Sequence, residues 1–325
     1  DMLMREHAHE VLGGAQILLH VLGLETCYVA VESDKPEALQ RLGEALAELD
    51  DARLVLKQVP TIYPSGGEDQ LVQLVTNREV PTGGLPIDAG CLVQNVGTAA
   101  AIYNWIARGE PLISRVTTVT GDGVANPVNV EARLGTTVAD IIEHVGGYTE
   151  RAQQLIIGGP MTGKSVTTDR VPLVKAANCI LVMSTAPATG AAMRCIRCGD
   201  CAAVCPVQLL PQQLHWYARA GDEDRLRVHG LTDCIECGCC DLVCPSHIPL
   251  TAEFRRAKAR IRELADEKAR AERARRRFEA RNERLAKEQQ ARDQELARQK
   301  ADARQAGPDA IAEIMKRKQQ QGEEQ

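Results

Sequence analysis

Aromatic side chains are nearly missing from this chain: two Phe, two Trp and five Tyr in 325 residues. Because 44% of the residues are hydrophobic all the same, the cores must be built mainly from Leu, Val, Ile and Ala, and the chain is not disordered as a whole. No apolar run approaches the roughly 20 residues that a membrane helix requires. The start also lacks the basic-then-apolar pattern of a secretory signal. It lacks an initiator Met as well: the chain opens on Asp1, already in helix-like sequence, and a missing N-terminal segment is expected. The length fits about two domains on the usual size scale.

Net charge is small, at −5, but unevenly spread. Residues 1–252 hold 18 Lys and Arg against 29 Asp and Glu, whereas residues 253–304 hold 18 basic against 11 acidic side chains. An acidic globular body thus carries a basic tail. That arrangement points to surface or partner contact by the tail and not to nucleic-acid binding by the whole.

What the chain has in excess is cysteine. Nine of its 12 cysteines crowd into residues 195–244. A disulfide framework belongs to small secreted chains, so clustered C-x2-C spacing in a larger chain without a signal reads as metal binding in a reducing compartment.

Along the chain, residues 1–110 alternate between helical and extended patterns. Ala8, Val11, Leu12, Ala15, Leu18 and Leu19 fit one helical face, "CYVAVES" follows as a strand, and Pro36 opens a helix with Ala38, Leu39, Leu42, Ala45, Leu46 and Leu49 at helical spacing. "RLVLKQV" is a second strand, and "EDQLVQLV" and "NVGTAAAIYNWIA" are further helices, an order that predicts an α/β layer. From about residue 112 the pattern changes. "SRVTTVTGDGVANPVNV" predicts a hairpin, "TVADIIEHV" a short helix stopped by Gly146-Gly147, and "QLIIGG", "RVPLV" and "CILVM" predict strands. Together they form a small β-grasp-like unit.

Within that unit, Gly158 through Ser165 matches the phosphate-binding pattern G-x-x-x-x-G-K-[ST]. A working loop of this kind runs straight into a helix whose first amides hold the phosphates. Here Val166, Thr167 and Thr168 follow, β-branched residues that favour extended backbone, and Pro160 removes one amide donor. The match is therefore a Gly-rich turn between strands.

The cysteine runs are far more specific. "CIRCGDCAAVCP" holds Cys195, Cys198, Cys201 and Cys205 before Pro206; "CIECGCCDLVCP" holds Cys234, Cys237, Cys240 and Cys244 before Pro245. Both have the C-x2-C-x2-C-x3-C-P spacing of two-cluster ferredoxins, in which the fourth Cys of each run reaches the other cluster. That assigns Cys195, Cys198, Cys201 and Cys244 to one 4Fe–4S cluster, and Cys234, Cys237, Cys240 and Cys205 to the other. Tetrahedral zinc does not account for eight cysteines in duplicated iron–sulfur spacing. Cys239 breaks the repeat and reads as a bystander. Cys27, Cys91 and Cys179 read as core residues, and His144 and His215 as structural.

These runs, with "ESDKPEA", "YPSGGEDQL", "REVPTGGLPIDAGCLVQNVGTA", "VTTVTGDGVANPVNVEARLGT" and "IIGGPMTG" upstream, closely resemble the C subunit of the Rnf (or Rsx) ion-translocating electron transport complex. The resemblance covers essentially the whole chain. It implies an incomplete α/β flavin- and NADH-binding domain similar to the 51-kDa subunit of complex I (1–110), and a β-grasp domain of the soluble-ligand-binding type (111–184). A helical two-4Fe–4S ferredoxin module (185–252) and a charged helical tail (253–325) follow. By resemblance, Tyr63, Gly66 and Glu68 of "YPSGGED" contact flavin or nicotinamide, with Gly67 standing where the family has a Glu. Asn95 and Thr98 of "VQNVGT" approach the flavin. The family's flavin-phosphate loop precedes the region where this chain begins.

The implied role is electron transfer between NADH, FMN and ferredoxin, coupled to ion movement. The implied partners are NADH, the membrane subunits of the complex and a ferredoxin-like iron–sulfur subunit, with no nucleic acid. The implied location is peripheral, on the cytoplasmic face of the bacterial inner membrane. Two other architectures share these modules: the cobalamin reductase of propanediol-utilising microcompartments, which is not expected to end in a long charged helix, and a flavin-free iron–sulfur relay adapter.

The tail, from Glu253 to Arg304, is rich in strong helix formers and has no Gly or Pro before Gly307-Pro308. Its apolar positions (Phe254, Ile261, Leu264, Phe278, Leu285, Leu296) are too sparse for a heptad seam. It predicts an exposed helix braced by pairs such as Glu283 with Lys287, leaning on an anionic membrane or on acidic partners. Each basic residue there adds about 1 kcal/mol at most, screened by salt.

The loop at Gly158–Ser165 yields a direct test. Purified protein is expected neither to hydrolyse ATP or GTP nor to show nucleotide binding that Lys164→Ala abolishes; calorimetric titration and phosphate release measure both.

Overall fold

The computed structural model describes residues 1–184, 191–305 and 307–322. It divides into two compact units, Asp1–Lys258 and Ala259–Gln325.

The first unit opens with helices α1 (Met2–Glu6) and α2 (Ala8–Leu22), followed by β1 (Cys27–Glu32), α3 (Pro36–Leu49) and β2 (Leu54–Val59). The helical crossover makes β1 and β2 parallel, with Cys27 opposite Leu54 and Glu32 opposite Val59. Pro36 fits the first turn of α3, where a missing N–H costs nothing. Ala38, Leu42 and Ala45 of α3 join Val11, Leu12 and Leu19 of α2 over Val29 and Val31 of β1. The expected face of α2 is buried except at Leu18, which is half-buried.

Two more helices follow, α4 (Glu68–Thr76) and α5 (Val96–Arg108). Gly13 and Gly14 lie inside α2, where each costs about 1 kcal/mol relative to Ala. Close packing against α5 explains them: a Cβ on Gly14 would lie 1.9 Å from the Ala99 carbonyl oxygen. The weak helix formers are what allow the two helices to touch.

The second part of this unit is a five-stranded sheet. Its strands are β3 (Ser114–Thr120), β4 (Val128–Arg133), β5 (Gln154–Ile157), β6 (Lys164–Val166) and β7 (Cys179–Met183), in the order β4-β3-β7-β5-β6. β3 runs parallel to β7; the other neighbours are antiparallel. Helix α6 (Val138–His144) lies between β4 and β5 in sequence and buries Val138, Ile141 and Ile142 with Val119, Ile180 and Val182 of the sheet. Asp122 fixes the β3–β4 turn by accepting from the Ser184 amide at 2.8 Å.

One expected strand is absent. "RVPLV" makes only an isolated bridge, Thr137 with Pro172, because Pro172 has no N–H to give a ladder. The edge position is taken instead by Lys164–Val166, in the segment that imitates a phosphate loop; it pairs with β5 as a hairpin.

The cysteine-rich part is built from short helices: α7 (Asp200–Ala203), α8 (Pro211–Ala220), α9 (Glu223–Val228) and α10 (Cys239–Leu242), then the start of α11 (Leu250–Gln305). Leu250 and Phe254 of α11 are buried. The second unit contains the remainder of α11 and α12 (Gly307–Gly322), so helix resumes at the Gly307-Pro308 stop. Its exposed surface is braced by Arg276 with Glu272 at 3.1 Å and Arg284 with Glu288 at 3.6 Å. The expected Glu283–Lys287 pair is not among the ion pairs of the described residues; the adjacent i,i+4 pair, Arg284 with Glu288, forms in its place.

Since the first unit closes at Lys258, deleting residues 265–325 is expected to leave its cooperative unfolding transition and its iron uptake unchanged. Circular-dichroism melting and iron analysis of the shortened chain measure this.

Candidate functional site

Each cysteine run folds as a loop, a one-turn helix and a second loop. The repeat is visible in the backbone: Arg197 and Glu236, Gly199 and Gly238, and Gln208 and His247 occupy matching positions and all have positive φ. Left-handed residues in such loops turn successive N–H groups toward one point, forming the anion-binding concavity that iron–sulfur sites use. The Leu209 amide, for example, donates to Cys205 Sγ at 3.3 Å.

Two cavities result. One is lined by Cys205, Cys234, Cys237, Cys239 and Cys240. The other is lined by Cys195, Cys198, Cys201 and Cys244. Each therefore joins thiols of both runs: the first cavity has four from the second run, Cys239 among them, with Cys205, and the second has three from the first run with Cys244. Among the described residues no three His, Cys, Asp or Glu side chains converge tightly enough to hold a single ion. Thiols of two runs at duplicated C-x2-C-x2-C-x3-C spacing, gathered around two separate cavities, fit a pair of iron–sulfur clusters.

The electrostatics agree. Burial pushes the Cys201 and Cys234 thiols up, and burial followed by the Asp241 carboxylate pushes Cys240 up to about 12. Thiolates are costly in this setting without compensating positive charge, so cluster binding here must release protons. Cys239 lines the first cavity too; burial, then the neighbouring Cys237 thiol, pushes it up to about 11. Cys27, Cys91 and Cys179 are half-buried and lie outside both cavities.

The positions expected to meet flavin or nicotinamide lie in two segments. Gly66 and Gly67 lead into α4, which begins with Glu68, and Gly67 is its N-cap. A Cβ on Gly66 would meet nothing within 4 Å, so this backbone is open to close approach by a ligand. Asn95 caps α5, its Oδ1 accepting from Gly97 at 2.9 Å, and Thr98 is exposed in the first turn. No hydrogen bond among the described residues joins the Tyr63–Glu68 segment to Asn95 or Thr98. The two segments share a common form, a helix N-terminus, which suits phosphate or carboxylate groups.

Tyr63 makes the contact that links the parts of the unit. Its hydroxyl donates to the Cys237 carbonyl at 2.7 Å. Burial, then the Cys237 and Cys239 thiols, raises its phenol above the usual range, so the hydroxyl remains a donor. Thr82 donates to Asp233 just before the second run at 3.3 Å. The Met161 carbonyl, in the turn between β5 and β6, would lie 3.1 Å from a Cβ on Gly238. Three separate loops thus bear on the second cysteine run.

Several residues had no signal in the linear sequence. Gln212 Oε1 lies 3.5 Å from Cys201 Sγ, and Thr251 Oγ1 lies 3.9 Å from Cys240 Sγ. Glu236 is held by Arg255 at 2.9 Å and Lys258 at 3.3 Å. Pro211, the first residue of α8, and Pro249, just before α11, mark where these helices start, but the polar residues in their first turns match no motif.

Comparison with known proteins follows the same division. Family models match at residues 1–104 (Nuo51 FMN-binding domain), 116–165 (SLBB domain) and 194–248 (4Fe-4S dicluster domain). The C subunit of the ion-translocating oxidoreductase complex of Pseudomonas aeruginosa is 50% identical over 283 residues, covering 86% of this chain and 36% of that protein. Its counterpart in Vibrio cholerae is 44% identical over 325 residues, covering 98% of this chain and 42% of that protein. Among solved structures, an air-oxidised NAD+-reducing [NiFe]-hydrogenase is similar over 71% of this chain and 44% of its own, at 17% identity and a TM-score of 0.45. The chain spans about two-fifths of the length of the curated relatives it matches. On the similarity of its sequence, and with three domain matches in one order, the chain belongs to the family formed by the C subunits of ion-translocating oxidoreductase complexes.

Proposed function

We propose that this chain is the electron-relay part of a peripheral subunit in a membrane-bound, ion-translocating NADH:ferredoxin oxidoreductase complex. It passes electrons between NADH, FMN and two 4Fe–4S clusters. The observation that carries this is the pair of thiol-lined cavities, each drawing on both cysteine runs, with Tyr63 bonded to the backbone of the second run. When bound, a flavin would supply the conversion between two-electron hydride chemistry and one-electron clusters.

In this reading Cys195, Cys198, Cys201 and Cys244 hold one cluster, and Cys234, Cys237, Cys240 and Cys205 hold the other. The αL residues of each loop would help turn amides toward a bound cluster. Tyr63, Gly66, Gly67, Glu68, Asn95 and Thr98 bind flavin or nicotinamide, supported by their position at two helix N-termini. Tyr63 also fixes the distance between that loop and the Cys237 backbone.

The division of the chain follows: a flavin and NADH domain to residue 110, a β-grasp domain at 111–184, a two-cluster ferredoxin module at 185–252, and a charged tail at 253–325. Residues 185–190, the start of the third, lie outside the described residues. The strand order β4-β3-β7-β5-β6 with one packed helix supports the β-grasp label. No helix among the described residues is long and apolar enough to cross a membrane. In this proposal the subunit meets the cytoplasmic face of the inner membrane through partner subunits, the membrane subunits and a ferredoxin-like one among them, and through the basic tail.

Reconstitution with iron, sulfide and FMN, followed by NADH-dependent dye reduction, tests the reading on the full-length subunit; a protein that loads clusters yet never retains flavin would be a relay adapter instead. For ligation, Cys205→Ser is expected to damage mainly the cluster of Cys234, Cys237 and Cys240. Iron content and paramagnetic resonance measure it, and loss confined to the Cys195 cluster would overturn the crossed assignment.

A further inference from the structure

His215, on α8, is almost fully enclosed: its side chain is 3% exposed. Nδ1 lies 2.6 Å from Glu253 Oε2, at the start of α11. The other ring nitrogen, Nε2, is buried and has no hydrogen-bond partner. Buried polar atoms without a partner are rare in folded proteins, and one at a cavity wall points to a bound group as its partner. His215 lines the cavity walled by Cys195, Cys198, Cys201 and Cys244.

The chemistry of that neighbour decides what the ring must do. A cluster held by four thiolates is anionic, and its sulfurs accept hydrogen bonds but donate none. A carboxylate at Nδ1 is also an acceptor. A ring between two acceptors satisfies both only when the His215–Glu253 pair keeps one proton more than a neutral imidazole and a carboxylate would share. The pair is then neutral overall and presents an N–H at Nε2.

We propose that His215, held by Glu253, donates from Nε2 to the cluster bound by Cys195, Cys198, Cys201 and Cys244, and raises its reduction potential relative to the other cluster. The inference rests on the cluster assignment above. Hydrogen bonds to cluster sulfurs are one of the levers that set potential, because they stabilise the more negative, reduced form. One electron enters the cluster; no bond breaks and no proton leaves the pair. Among the described residues lining the other cavity there is no histidine. The two clusters, alike in ligand spacing, are thereby made unequal. His215 is a positioning residue for potential and not a ligand.

The test is a potentiometric titration of the reconstituted chain followed by paramagnetic resonance. His215→Phe, which keeps a ring but has no donor, is expected to lower the midpoint potential of one cluster and leave the other in place. His215→Gln, whose amide can donate, is expected to recover most of the shift. No shift in His215→Phe, or an equal shift of both clusters, would overturn the proposal.

Should the variants fail to take up iron, the wild-type chain carrying nitrogen-15 histidine serves instead. Pulsed resonance of the reduced protein is expected to show a coupled histidine nitrogen and an exchangeable proton, both unchanged by His144→Gln, at an exposed position on α6; their absence would overturn the donor role. A wild-type chain that took up no iron would remove the cluster assignment and this proposal with it, whereas loaded clusters with an unmoved potential would remove only this one.

Discussion

Neither cavity can be completed by one stretch of chain. Each is lined by thiols of one cysteine run together with the last cysteine of the other, so the two runs have to meet before either site exists. Much of the surrounding structure serves that meeting. α8 and α9 fill the connection with Leu214 and Leu226, both fully buried, and Leu231 closes it at the threshold of the second run. The first turns of α11 then cover both sites: Thr251 and Phe254 line one cavity and Leu250 the other. The thiols themselves resist ionisation there, because burial disfavours charge. The energy for gathering them has to come from packing and, once loaded, from the metal.

Outside contacts reach the second run and tie it to the rest of the unit. The Tyr63 hydroxyl holds the Cys237 carbonyl, Thr82 holds Asp233, and the turn before β6 approaches Gly238 so closely that a larger residue would meet the Met161 carbonyl. Gly238 is also left-handed, at φ +83. Two requirements, backbone conformation and space, thus fall on one glycine. The loop that imitates a nucleotide site has a different use here: it is an edge hairpin whose tip packs against a cysteine loop. Its glycines allow the turn, and its β-branched continuation makes β6.

Helices and strands with strong periodicity can be read from residue order. α2, α3, β1, β2, β3, β4, α6 and β7 stand where their apolar spacing puts them, because the apolar residues of each enter one of two cores. The Val and Leu residues of "RVPLV" carry a strand pattern, but Pro172 and a position beside α6 reduce it to one bridge. His215 reads from the sequence as structural, yet its ring lies at a cavity wall with one nitrogen unpartnered. Nothing in the local sequence distinguishes it from His144, because Glu253 and the thiols reach it only through the packing of α8 against the start of α11.

Residue order alone dictates the chemistry of this chain: eight cysteines at duplicated spacing, the helical tail, the aliphatic cores, and the extended backbone that rules out a phosphate loop. Those are local properties, fixed by residue type and by short-range conformational preference. The folded arrangement brings Cys205 to the thiols of the second run and Cys244 to those of the first, bonds Tyr63 to the Cys237 carbonyl, and stands His215 between a carboxylate and a cavity wall. Each of these depends on where helices and loops far apart in the chain come to rest, and packing, not spacing, sets that.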